Sequence, residues 1–162
     1  MKKCLALMLV AVLIAGCFTG CAAVNAASPV SYTFQELTIR LPMAFVPLND
    51  AFAEYDFIFG DGKVTLAGIR EDRSQLQALG LASSLEEYSA QLIRAHGLDC
   101  QMLQENGITY FNYEAGEEPP FIYIVSVWET PEAFWVVQAY CLSEDYAAVK
   151  DAMWQYLSSV TL

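Results

Sequence analysis

Two apolar runs, Phe121–Trp128 and Ala133–Cys141, constrain the fold of this 162-residue chain more than any other feature. A strand with one wet face alternates apolar and polar residues; these two are apolar at nearly every position. They therefore read as central strands covered on both faces. Thr130-Pro131 between them turns the pair into a hairpin.

The remaining elements fit around that pair. Tyr32–Leu41 reads as a first strand, after which Pro42 and Pro47 interrupt the chain around Met43–Val46. Tyr55–Phe59 and Lys63–Ile69 flank Asp61-Gly62, and Cys100–Glu105 and Ile108–Glu114 flank Asn106-Gly107. Both dipeptides suit tight hairpin turns, the second of type I′. Between these hairpins the period changes. Ser84 and Glu87 form a capping box, Leu85, Tyr88 and Leu92 line one helical face that Ile93 widens, and Gly97 ends the helix. A last helix is expected with Ser143 as its cap, Asp145 in its first turn, and a core stripe of Tyr146, Val149, Met153, Leu157 and Val160. Hairpins, helix, hairpins, helix predict an α+β domain with a central antiparallel sheet. The repeated strand–helix units of a parallel nucleotide-binding sheet are missing from this order.

The N-terminus carries an address. Lys2 and Lys3 precede an apolar core from Leu5 to Ile14, the order of an export signal and too short for an ordinary membrane-spanning helix. Its ending, Ile14-Ala15-Gly16-Cys17, resembles the lipobox of bacterial lipoproteins. The resemblance implies cleavage before Cys17, diacylglycerol and palmitate on that cysteine, and a mature chain on the extracytoplasmic face of the cell membrane. Two acyl chains hold a protein where one is marginal. Cleavage by the ordinary signal peptidase near Ala26 or Ala27, or retention as an anchor, are the alternatives. Phe18-Thr19-Gly20-Cys21 is a weaker box. The chain thus divides into a signal peptide (1–16), a lipidated cysteine and tether (17–31) and a single domain (32–162).

Without the leader, six Lys/Arg face nineteen Asp/Glu. Such a charge repels phosphate backbones, so nucleic acid is not an expected partner. Cys100 and Cys141 can either pair outside the cytoplasm or stay as free thiols, and nothing in their spacing decides between these states.

Candidates for chemistry are sparse. His96 stands alone where a zinc site needs several spaced ligands, and Gly97 breaks the helix between it and Cys100. Glu54 and Asp56 would share a strand face, but no unusual apolar surroundings set their ionisation apart. Asp50, Asp56 and Asp61 do not follow the EF-hand spacing, and Phe59–Lys63 lacks the phosphate-loop pattern. Glu114, Glu117 and Glu118, around the acidic loop Tyr113–Pro120, are a candidate weak cation site. Of Phe121, Tyr123, Trp128, Phe134, Trp135 and Tyr140, most are expected in the core. Trp128 at a strand end and Trp154 on the last helix are the candidate partner contacts. No catalytic residue, metal or cofactor is assigned.

Several segments together resemble the Mog/PsbP fold group, which includes small bacterial lipoproteins. They are Phe34-Gln35-Glu36-Leu37-Thr38-Ile39-Arg40-Leu41-Pro42, the helix start Ser84-Leu85-Glu86-Glu87-Tyr88, Asn106-Gly107-Ile108, and an aromatic-rich strand followed by Ser143–Leu157. The resemblance covers residues 31–162. It implies an α/β/α sandwich around the antiparallel sheet, used for interaction or assembly and without a shared catalytic centre. The expected function is a membrane-anchored extracytoplasmic lipoprotein, not an enzyme, acting as an accessory module for a protein of the cell envelope. The alternative is a small-ligand or cation-binding lipoprotein.

Overall fold

The computed structural model describes residues 28–48 and 54–162. A seven-stranded, wholly antiparallel sheet runs in the order β3-β4-β5-β9-β8-β7-β6. Its strands are β3 (Val46–Pro47), β4 (Phe57–Gly60), β5 (Val64–Asp72), β6 (Leu103–Glu105), β7 (Ile108–Ala115), β8 (Phe121–Glu129) and β9 (Ala133–Leu142). A separate hairpin of β1 (Val30–Phe34) and β2 (Leu37–Leu41) packs beside helix α3 (Tyr146–Ser158) on one face. Helices α1 (Arg73–Ala78) and α2 (Leu85–Ala95) sit on the other. The result is the expected α/β/α sandwich, with β8 and β9 near its centre.

The near-continuous apolarity of those two strands now has its cause. Along β9, Trp135, Val137, Ala139 and Cys141 enter the core beneath α3, while Phe134 and Val136 enter the core beneath α1 and α2. One face of β9 is fully buried and the other is covered in part, with Val136, Gln138 and Tyr140 half-buried, so polar alternation is nearly absent. Met153, Leu157 and Val160 complete the α3 core as the helical stripe predicts, with Tyr146 and Val149 packed at its margin.

The turn chemistry also holds. Asn106 and Gly107 have φ of 51° and 81°, the left-handed pair a type I′ turn requires. Asp61 Oδ1 accepts from the backbone N–H groups of Lys63 and Val64 at 2.9 and 2.8 Å, fixing the β4–β5 hairpin. The α2 cap is shifted from a strict capping box. Ser84 Oγ accepts from Glu87 N–H, but the Glu87 carboxylate takes the N–H and hydroxyl of Ser83.

Three readings need correction and one element is new. Tyr32–Leu41 is not one strand but the β1–β2 hairpin, because Gln35 adopts φ 50° and reverses the chain. Glu54 and Asp56 precede β4 and do not share its face; Asp56 Oδ2 accepts from Arg70 N–H at 2.6 Å. Ser143 does not cap α3: the cap position is Asp145, whose side chain makes no capping bond. Helix α1 was not expected, and Asp72 starts it by accepting from Ser74 and Gln75 N–H.

Glu36, at the β1–β2 turn, ties the hairpin to the sheet. It accepts from the Trp135 indole at 3.0 Å and from Arg70 Nε at 3.1 Å, with the Thr130 hydroxyl at 3.4 Å. Desolvation pushes its carboxyl up, but its own backbone N–H, the indole and the Arg70 guanidinium together hold it below the usual glutamate value. A depressed carboxyl adds stability above its unfolded pKa, and that stability is lost as pH falls through the folded value. In urea titrations between pH 6 and about pH 3, Glu36→Gln is therefore expected to be less stable than wild type at neutral pH, with the gap closing on acidification. A gap independent of pH would contradict this.

Candidate functional site

The face beneath α1 and α2 carries a row of aromatic rings built from three adjacent strands. Period-two alternation puts Phe111 and Tyr113 of β7, Phe121 and Tyr123 of β8, and Tyr140 of β9 on this side. Tyr123 is paired across the ladder with both Tyr113 and Tyr140, so register alone aligns the three phenols. Tyr113 and Tyr123 stack at 4.7 Å and 2°, Tyr123 and Tyr140 at 5.0 Å and 27°, and Tyr140 meets Phe121 edge-on at 5.9 Å. All of these except Phe111 remain half-buried. Burial pushes the Tyr113 phenol up to about 12 and raises Tyr123 and Tyr140 as well, so the row presents neutral hydroxyls.

At one end the row enters a cavity of about 320 Å³ between α2 and the sheet. Strand β5 supplies Ile69 and Glu71 to its wall, α2 supplies Tyr88 and Leu92 with His96 at its C-cap, and β9 supplies Val136 and Gln138. Tyr88 lies flat on Phe134 at 4.5 Å and donates its hydroxyl to the Glu71 carboxylate. Burial, reinforced by that bond, raises the Tyr88 phenol far above the usual range, so Tyr88 is a donor at any physiological pH. Gln138 Nε2 donates to the Tyr55 hydroxyl at 3.1 Å.

Arg73 holds the α1–α2 connection over this face. Its guanidinium donates to Glu129 Oε1 at 2.7 Å, to the Thr130 carbonyl at 3.0 Å and to the Ser83 carbonyl at 2.9 Å, and stands 5.1 Å from the Phe134 ring centre. At the other end of the row a more open depression of about 570 Å³ lies among Leu48, Thr65, Phe121 and Tyr140.

The residues singled out in the sequence lie elsewhere. Trp128 and Trp154 are half-buried on the α3 face, where Trp128 donates to Ser126 Oγ at 3.0 Å and Trp154 meets Tyr110 edge-on at 4.6 Å. Glu114, Glu117 and Glu118 are exposed. No group of three or more His, Cys, Asp or Glu side chains that could hold a metal ion is found among the described residues. Cys100 and Cys141 are free thiols on opposite sides of the sheet. Burial raises both, with Asp99 and Asp145 adding to the effect, which disfavours the thiolate a nucleophile needs. His96 reaches the cavity wall, but no hydrogen bond joins it to Cys100 among the described residues. Cys17, Cys21 and Asp50 lie outside the described residues. Glu71, Tyr55 and Tyr113 were not anticipated as one site. The available signal was the same-face spacing Thr65, Ala67, Ile69, Glu71, which puts a carboxylate on an otherwise mostly apolar stripe.

No family model matches the sequence, and neither does any curated protein. Among solved structures, the fold is similar to the solution structure of cyanobacterial PsbP (CyanoP) from Synechocystis sp. PCC 6803. The two are 15% identical with a TM-score of 0.56, over 88% of this chain and 97% of that one. A crystal structure from Bacteroides thetaiotaomicron VPI-5482 aligns at 9% identity and a TM-score of 0.49, over 78% of this chain and 44% of that one. The sandwich is thus of the Mog/PsbP-like kind. No helix among the described residues is long and apolar enough to cross a membrane.

Proposed function

We propose that this chain is a non-catalytic recognition module, accessory to a protein of the cell envelope and held on the extracytoplasmic face of a membrane by acylated Cys17. The observation that carries the reading is the row of half-buried tyrosines ending in a cavity. Tyrosine combines a large apolar contact area with a hydrogen-bonding tip at little entropic cost, which is why it is concentrated at recognition surfaces. The anchor rests on the sequence Ile14-Ala15-Gly16-Cys17 behind an export signal. The alternative, a small-ligand-binding lipoprotein, is favoured by the cavity itself, whose size and mixed apolar and polar lining are those of a site for a small group.

Anchoring is tested by growing the producing bacterium with an alkyne analogue of palmitate. Wild type is expected to take up label and stay with the membrane, whereas Cys17→Ala loses the label. A Cys17→Ala protein that is still labelled would overturn Cys17 as the acylated residue, and an unlabelled wild type would overturn the lipid anchor.

A further inference from the structure

We propose that the cavity beneath α2 binds the protonated amine of an alkylammonium group, with Glu71 as its anionic acceptor and tyrosine rings as its walls. Several observations converge on this chemistry. The carboxylate stands in a pocket whose rings include Tyr55, Tyr88, Phe111, Tyr113 and Tyr123, and such π-rich walls attract cations. Its described hydrogen-bond partner is the Tyr88 hydroxyl, which leaves most of a carboxylate's roughly four acceptor positions free.

Among the described residues no Lys or Arg lines the cavity, whose wall does include the His96 imidazole, and Arg70 and Arg73 are engaged elsewhere, with Glu36 and Glu129. An anionic or neutral occupant would desolvate Glu71 without compensating its charge, whereas an ammonium supplies both a countercharge and donors. The volume, about 320 Å³, suits an amine on a short alkyl chain and is small for a drug-sized molecule. The excess of acidic over basic residues, −11 in formal charge, concentrates cations around the protein. A free small amine and a lysine side chain of a partner present the same group.

The inference rests on reading this face as the recognition surface. Its test uses purified protein with no partner present, so its failure and a failure of partner engagement are separate results. Full-length protein in non-ionic detergent is titrated with n-pentylammonium, with 1-pentanol as the uncharged counterpart and Nα-acetyl-lysine N-methylamide as the side-chain form. Tyrosine ring NMR signals are the readout. Saturable binding of the ammonium about tenfold tighter than of the alcohol is expected, and Glu71→Gln is expected to weaken it about tenfold. Tyr113→Leu keeps apolar bulk but removes a ring, and is expected to weaken binding about threefold or more. It serves as the second probe should Glu71→Gln fold poorly. Tighter binding of the lysine derivative assigns the amine to a protein partner, and tighter binding of pentylammonium assigns it to a small molecule. Absence of saturable binding, equal affinity for amine and alcohol, or a folded Glu71→Gln protein with undiminished affinity would overturn the proposal.

Discussion

Trp135→Ala is expected to lower the free energy of unfolding by about 4 kcal/mol, the range for emptying a large buried aromatic site. Trp135 is fully buried in β9, where its ring lies 6.3 Å from that of Phe57 and its indole N–H is bound by Glu36. The substitution removes apolar burial, leaves a cavity at the centre of the α3-side core, and deprives Glu36 of a donor. Trp135→Phe separates these effects. It retains most of the packing but leaves Glu36 to Arg70 and Thr130, and about 1–2 kcal/mol is the expected loss. Urea unfolding followed by far-UV circular dichroism measures both. A loss below about 1 kcal/mol for Trp135→Ala would contradict the central position given to this side chain.

The second large effect concerns Gly68. It lies mid-strand in β5, opposite Phe57 in β4, whose ring covers it. A Cβ at position 68 would stand 2.1 Å from Phe57 Cε1 and 2.3 Å from Cζ, closer than any real contact permits. Phe57 cannot simply withdraw, because Phe34 stacks on it at 4.4 Å. In an open strand, replacing glycine by alanine would stabilise by restricting the unfolded chain. Here Gly68→Ala is expected to cost about 3 kcal/mol through overpacking, and Gly68→Val more. The double variant Gly68→Ala/Phe57→Leu is expected to be less harmful than the two single changes added together, because the smaller side chain makes room. Strict additivity, or a stabilising Gly68→Ala, would show that Phe57 does not hold that position.

Much of the architecture is legible in the chain because its strongest signals are local. The β8 and β9 runs, Asn106-Gly107 and the Ser84 cap each specify a conformation within a few residues, and each is found; the Asp61-Gly62 hairpin is found with Lys63 added to its loop. The β1–β2 turn is illegible because Gln35 enters the left-handed region without the Asn or Gly that announces such turns. Helix α1 is six residues long and buries none of them, so it has no apolar period to read. The same limit explains the site. A strand that is apolar at nearly every position does not reveal which of its faces a helix leaves partly open. Tyr113, Tyr123 and Tyr140 become one row only through the ladder register, and Glu71 joins it only through α2 crossing above. Trp128 at a strand end and Trp154 on the last helix stood out as large rings, yet they help close the opposite face.

The recognition face is tested most directly by site-specific photocrosslinking in intact membranes. A photoreactive residue is placed at Tyr123 on the tyrosine row and, separately, at the exposed Asp151 on α3 of the opposite face. One envelope protein captured in stoichiometric yield from position 123 and not from position 151 is the predicted result. Capture of that protein from position 151 alone would contradict the account and move the contact surface to the α3 side of the sandwich.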